Sequence, residues 1–195
     1  MEARNGAPPA KLPMSGPQIC KPFVGPLTVT KKAFGLSVGD YNVTDASGAV
    51  VLRVKGEFFS SRRRRVVLDA DGRLLLTMRG KAFSFHSTWE VFRGGSTNGS
   101  NLLFTVKRSS VIQLNASLDI FLAANRAEKV CDFKIKGSYF NRSCAFYHGT
   151  TNIMIAQMNR QFVLLGKDSC TVTIIPNVDH AFITSLVVIL DEINQ

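Results

Sequence analysis

A chain of 195 residues with 45% hydrophobic and 19% charged side chains is composed like one globular domain with a tail, not like a disordered polymer. Twenty-four Lys and Arg against fourteen Asp and Glu leave a formal net charge of +10, a surface drawn to anionic lipid headgroups, nucleic acid or acidic proteins. The four cysteines, Cys20, Cys131, Cys144 and Cys170, form no C-x-x-C pair, and no His stands at zinc-ligand spacing, so no metal or other cofactor is expected.

Six of the seven prolines fall within residues 1–26. Proline removes a backbone donor and breaks helices and sheet interiors, so 1–26 is expected to be a flexible Pro-rich tail and 27–195 a single domain. The opening "MEARNGAPPAKLPMSG" has no apolar signal-peptide core, Glu2 is not a myristoylation glycine, and "EINQ" is not a prenylation signal. These features point to an intracellular protein with free thiols, cytoplasmic and peripheral at the plasma membrane with the nucleus as an alternative, neither secreted nor transmembrane. A Cys131–Cys144 disulfide is the minor alternative. Cys20, beside Lys21 in the tail, is a candidate lipidation site, with a plain free thiol as the ordinary reading.

From about Leu27 to Ile175 there is no proline, which suits a long antiparallel sheet. Three stretches repeat one theme: "YNVTDASGAVVLRVKG" (41–56), "RVVLDADGRLLLTMRG" (65–80) and "EVFRGGSTNGSNLLFTVKRS" (90–109). Each has an apolar run, a turn rich in Asp, Asn and Gly, and a second run ending in Lys or Arg, the pattern of β-hairpins. Alternation places Leu52 and Val54 opposite Arg53 and Lys55. It places Leu74, Leu76 and Met78 opposite Arg73, Leu75, Thr77 and Arg79, and Phe104 and Val106 opposite Thr105 and Lys107. Further strands are expected at about 118–123, 131–136, 144–147, 153–159 and 170–175, with Phe133 and Ile135 inward and Lys134 and Lys136 outward. Ten to twelve consecutive antiparallel strands close into a barrel or split into a sandwich. A closed barrel of about twelve is too wide to be filled by its own side chains.

"NVDHAFITSLVVILDEIN" (177–194) supplies the filling. Asp179 is a plausible N-cap, and the apolar residues after it cover every side of a helix, as full burial requires. The apolar run is about half the length a membrane span needs. A core helix at about 178–192 is expected, with Phe182, Ile183, Leu186, Val187, Ile189 and Leu190 as its buried residues.

"YNVTDASGAVVLRVKG", "WEVFRGGSTNGSNLLFTVKRSS", "CDFKIKGSYFNRSC" and "LLGKDSCTVTIIPNVDHAFITSLVVILDEIN" together resemble the plant LURP-one-related proteins, which are similar to the Tubby C-terminal domain and the phospholipid scramblases. The resemblance implies a mainly β fold: a closed antiparallel barrel of twelve strands around a central, C-terminal, apolar helix. It implies membrane-tethered signalling or transcription-related regulation in plant defence, or lipid handling of the scramblase kind. Both functions are analogies at the level of fold. Scramblases carry an acidic calcium-binding run before that helix, and "GKDSCTVTIIPNVDHA" offers only Asp168 and Asp179.

No catalytic constellation emerges. His86 reads as a strand residue, His148 as a turn residue and His180 as a cap or surface residue at the helix start. There is no G-x-S-x-G elbow, and "LLGKDS" lacks the first glycine and the Ser/Thr of a phosphate loop. The protein is expected not to be an enzyme. The strongest charged feature is "SSRRRRVV". Arg62, Arg63, Arg64 and Arg65, extended by Arg53, Lys55, Lys107 and Arg108, are the candidate contact for anionic lipid or another polyanion. The ordinary reading of such a run is a solvated edge. A protein partner with nuclear access is the rival use of the run, nucleic acid is a further possible ligand, and a monomer is expected.

Overall fold

The computed structural model describes residues 25–32, 39–56, 63–81, 88–109, 116–138, 143–161 and 169–194. Twelve strands follow one another: β1 (Pro26–Lys31), β2 (Tyr41–Thr44), β3 (Val50–Gly56), β4 (Arg64–Asp69), β5 (Leu74–Gly80), β6 (Trp89–Arg93), β7 (Leu102–Arg108), β8 (Ala116–Leu122), β9 (Phe133–Ser138), β10 (Ser143–His148), β11 (Met154–Gln161) and β12 (Ser169–Ile174). Each pairs antiparallel with its neighbour in sequence, and β12 pairs with β1 to close the barrel. One helix, α1 (His180–Ile193), runs inside it.

The hairpin turns form for the reason their residues suggest. In "DASGA" and "DADGR", Gly48 and Gly72 take φ of +84° and +85°, which costs glycine nothing. The preceding aspartates fold each turn: Asp45 Oδ1 accepts from the Ser47 and Ala49 N–H groups and from Ser47 Oγ, and Asp69 Oδ1 accepts from Arg73 N. Pro26 stands at the first position of β1, where a missing ladder donor is tolerated. The strand thus begins one residue inside the expected tail; residues 1–24 of that tail, Cys20 included, lie outside the described residues.

Alternation sorts the walls. Leu52, Val54, Val67, Leu76, Met78, Val91, Phe104, Val106, Ile120 and Ile135 are all essentially inaccessible, and α1 packs among them. Phe104 and Phe133 both meet Phe182 edge-on, at ring centroids 5.1 Å apart. Leu74 departs from expectation: it is 40% exposed. The β4–β5 register shifts between Val67 and Leu68, leaving Leu68 opposite Leu74, and the extra residue breaks the inward alternation there.

The N-cap forms as the sequence indicates, with Asp179 Oδ1 accepting from Ala181 N at 2.7 Å and Phe182 N at 3.1 Å. Every α1 residue from His180 to Leu190 is buried, including Phe182, Ile183, Leu186, Val187, Ile189 and Leu190. Among the described residues no helix is long and apolar enough to cross a membrane. The direction of α1 distinguishes the two ends of the barrel. The turns β2–β3, β4–β5, β6–β7, β8–β9 and β10–β11 lie at the amino rim, where α1 starts. The connections β1–β2, β3–β4, β5–β6, β7–β8, β9–β10 and β11–β12 leave from the carboxyl rim, where α1 ends.

Candidate functional site: the carboxyl rim and its ion cluster

The last turn of α1 carries Asp191 and Glu192, two negative charges at the negative end of the helix dipole. The barrel wall answers with cations from three strands. Asp191 Oδ2 accepts from Lys31 Nζ of β1 and from Tyr41 Oη of β2, both at 2.8 Å, and Asp191 Oδ1 accepts from Arg160 Nη2 of β11 at 2.8 Å. Glu192 Oε1 accepts from Arg65 Nη2 of β4 at 2.5 Å, and Arg65 also donates to the Gly39 carbonyl at 2.7 Å. Burial pushes the Asp191 carboxyl up, but hydrogen bonds from Lys31 and Tyr41 and the charges of Lys31 and Arg160 outweigh it and hold the group below its ordinary value. The Tyr41 phenol is driven far up, by burial first and then by the Asp191 charge. It therefore serves as a permanent donor.

This cluster revises the reading of the arginine row, which does not form one outward face. Arg62 lies outside the described residues. Arg63 is exposed on the rim. Arg64 points outward, is half-buried, and donates to the Gly95 carbonyl at 2.9 Å. Arg65 points into the barrel mouth with only 14% of its side chain exposed. The reason is parity: Arg65 lies two residues before the core residue Val67 on one strand and shares its face. The same parity places Arg160 with Met158, a signal readable in the sequence but hidden by the assumption that cations face out. Of the proposed extension, Arg53 donates to the Ala70 carbonyl at 2.7 Å and Lys55 is exposed. Lys107 pairs with Glu128 and sits over the Phe121 ring at 5.6 Å, and Arg108 is half-buried. Lys55 lies opposite Val66 across β3–β4, and Arg63 precedes β4, its carbonyl accepting from Gly80 N at 2.9 Å; Lys107 and Arg108 stand three strands beyond β4, roughly 14 Å away at the usual strand spacing. Arg79 and Lys81 bridge that arc, both bound to Glu90 at 2.8 Å. Burial raises the Glu90 carboxyl, but hydrogen bonds from Lys81 and Arg79 prevail and lower it.

The other candidate groups are absorbed by the fold. His148 is the last residue of β10 rather than a turn residue, its ring edge-on to Phe133 at 5.4 Å. His180 is the first residue of α1 but is buried, not on the surface. It borders a cavity of about 240 Å³ at the amino rim, between the start of β1 and the β2–β3 turn. His86 and Asp168 lie outside the described residues. Asp179 is buried and committed to capping α1. Cys131, Cys144 and Cys170 are free thiols. Burial pushes Cys144 up to about 11 and Cys170 up to about 12. Among the described residues no group of His, Cys, Asp and Glu is arranged to hold a metal.

A closed twelve-stranded barrel pinned by a buried C-terminal helix, with the helix end locked to the wall by ion pairs, defines the class of architecture. The LURP-one-related family model matches residues 26–191, and the chain belongs to that family. It is 46% identical over 183 residues to Protein LURP-one-related 15 of Arabidopsis thaliana, covering 92% of this chain and 84% of that one. It is 45% identical over 184 residues to Protein LURP-one-related 10 of the same plant, covering 92% and 95%. An X-ray structure of a protein from Arabidopsis thaliana superimposes with a TM-score of 0.75 at 40% identity, covering 93% of this chain and 98% of that one. The names of these relatives describe no reaction.

Proposed function

We propose that this protein is a non-enzymatic, peripherally membrane-associated regulator, of the signalling or transcription-related kind in plant defence, that contacts anionic phospholipid through its basic outer surface. One observation carries the reading. The formal net charge is +10, and the carboxylates nearest the carboxyl rim, those of Asp40, Glu90, Asp191 and Glu192, are occupied by internal bonds, so among the described residues the exposed Lys32, Lys55, Arg63 and Lys136 have no exposed carboxylate beside them. Each Lys or Arg held against an anionic leaflet contributes about 1 kcal/mol, and the attraction fades within a Debye length. Attachment by this means is reversible and salt-sensitive.

Co-sedimentation with phosphatidylcholine vesicles, with and without phosphatidylserine or a phosphoinositide, tests the proposal. Binding is expected only to the anionic vesicles, and it should fall steeply as salt rises. No binding to any anionic vesicle at physiological salt would sink it.

A further inference from the structure

Among the described residues the exposed large hydrophobics are Leu74, Val130, Ile153 and Met154, with Val130 the most exposed at 60%. The last three meet at one corner of the amino rim. Val130 lies in the β8–β9 turn, and Ile153 and Met154 lead from the β10–β11 turn into β11. Gly149 N donates to the Asp132 carbonyl at 2.6 Å, which ties the two turns side by side. A register shift leaves Tyr147 opposite Met154 while Phe146 stands opposite Ala156. The extra residue, Ile155, is buried with Ala156, and the bulge re-aims Met154 outward. Leu74 stands four strands from β9, beside Asp71 and Arg73, and belongs to another face.

Side chains brace both turns from within. Asn125 Oδ1 accepts from Glu128 N at 3.2 Å, while Asn125 Nδ2 donates to the Val130 carbonyl and to Asp132 Oδ2, both at 2.8 Å. Glu128 is held at φ +46°, a strained conformation for a residue with a side chain. In the β10–β11 turn, Thr151 Oγ1 donates to the His148 carbonyl at 2.5 Å and accepts from Ile153 N at 3.2 Å. The apolar tips therefore keep a fixed spacing, which lowers the ordering cost of binding. Exposed Arg126 and Lys129 flank Val130. The carboxylates of these turns are half-buried and bound: Glu128 by Lys107, and Asp132 by Leu122 N at 2.9 Å as well as by Asn125.

The occupant of apolar tips edged with positive charge follows from their surroundings. A second copy meeting corner to corner would set Arg126 and Lys129 against like charges. A bilayer deep enough to cover Ile153 would also strip water from the exposed Thr150, Thr151 and Asn152 beside it, and hydrocarbon returns no hydrogen bonds. The exposed cations invoked above for lipid, Lys32, Lys55 and Arg63, stand at the other rim. A protein can meet every feature, with apolar side chains on the tips, polar groups on the threonines and asparagine, and carboxylates on the cations. The barrel has no free sheet edge, so such a partner is read by its side chains and not added as a strand. We propose that this corner docks a segment of a partner protein in which apolar side chains are flanked by Asp or Glu. The proposal goes beyond the lipid reading and stands independently of it.

A random-peptide phage library panned on the immobilised full-length protein supplies the probe, the most enriched peptide made synthetically. It is expected to combine apolar residues with Asp or Glu. Its Kd is measured by fluorescence anisotropy on three variants: Val130→Ser with Ile153→Ser, Arg126→Gln with Lys129→Gln, and Leu74→Ser as a control on another face. All five side chains are exposed, so the variants keep the wild-type melting temperature. Affinity is expected to fall about tenfold or more in the first variant and several-fold in the second, and to be unchanged in the third. No enrichment, a probe without carboxylates, or unchanged affinity in the first variant overturns the proposal. Binding to phosphatidylcholine vesicles containing phosphatidylserine is expected to be the same in the wild type and the first variant; a loss there would make the corner a bilayer anchor instead. A wild-type dimer that dissociates in the first variant would make it a self-contact.

Discussion

Asp191 is the single side chain on which the carboxyl rim converges, bonded by Lys31, Tyr41 and Arg160. Its carboxyl is held below the ordinary 3.8. A group depressed on folding adds stability that is complete above its unfolded value and is lost as pH falls through the folded one. Stability should therefore decline below about pH 4. Asp191→Asn should remove part of that decline, because an amide does not titrate, and should lower stability at neutral pH by on the order of 2 kcal/mol. That is less than the loss of a fully buried partner, since Lys31 and Arg160 keep about a fifth of their exposure. Thermal melts of both proteins across acid pH would check this; an unchanged acid slope in the variant would show that Asp191 does not carry it. None of the cluster is announced by local sequence. Lys31 and Asp191 lie 160 residues apart, and their meeting depends on barrel closure. The inward direction of Arg65 was present in strand parity, two residues before the apolar Val67, but was hidden by the expectation that cations face out.

The helix was the most legible element. Its N-cap, length and all-round apolarity are local, and burial on every side fits one environment, the interior of the barrel. Val188 is fully buried and Val187 only 3% exposed, so Val188→Asp places a charge where no partner waits. The cost is several kcal/mol, comparable to the whole stability of a domain. Loss of the cooperative melting transition is expected, and a soluble, folded variant would contradict the helix's role as core. Strands were legible where polar and apolar residues alternate, as in β3, β7 and β9. They were obscured at bulges, where Leu74 changed face, and on the outer side of β5–β8. There Thr77, Phe92 and Phe121 are buried although they point away from the helix, because other groups lie over them: Thr77 Oγ1 donates to the Gly94 carbonyl of the β6–β7 turn at 2.6 Å, and the strand cations Arg79 and Lys107 lie over Phe92 and Phe121.

At the scale of the whole molecule, closure leaves the sheet without free edges, and reagents have no fraying strand through which to reach the core. Cys144 and Cys170 line the inner wall, 4% and 8% exposed. With burial raising Cys144 to about 11, roughly one such group in a thousand is thiolate at pH 8. In a Cys20→Ser variant, modification of these two thiols by an aromatic disulfide reagent should proceed no faster than exchange of the slowest core amides. Reaction at the rate of a free thiol would reveal an opening of the barrel short of unfolding. The closed, helix-filled architecture could be read from strand count and filling volume, whereas the meeting of Lys31, Arg65 and Arg160 at the carboxyl rim could not, because barrel closure decides which strand ends lie together.

The closing seam also sets an order of events during synthesis. β1 pairs with β12, joining Pro26 to Thr173, and α1 follows both in the chain. A ribosome therefore releases eleven strands before the closing partner of the first exists, and all twelve before the helix that fills them. Until then the growing sheet has two open edges and an empty apolar concavity, the combination most prone to association with other chains. Long-range closure of this kind is slow to form. The helix that fills the barrel thus arrives only after all twelve strands, and until it does the nascent sheet keeps its apolar concavity open to its neighbours.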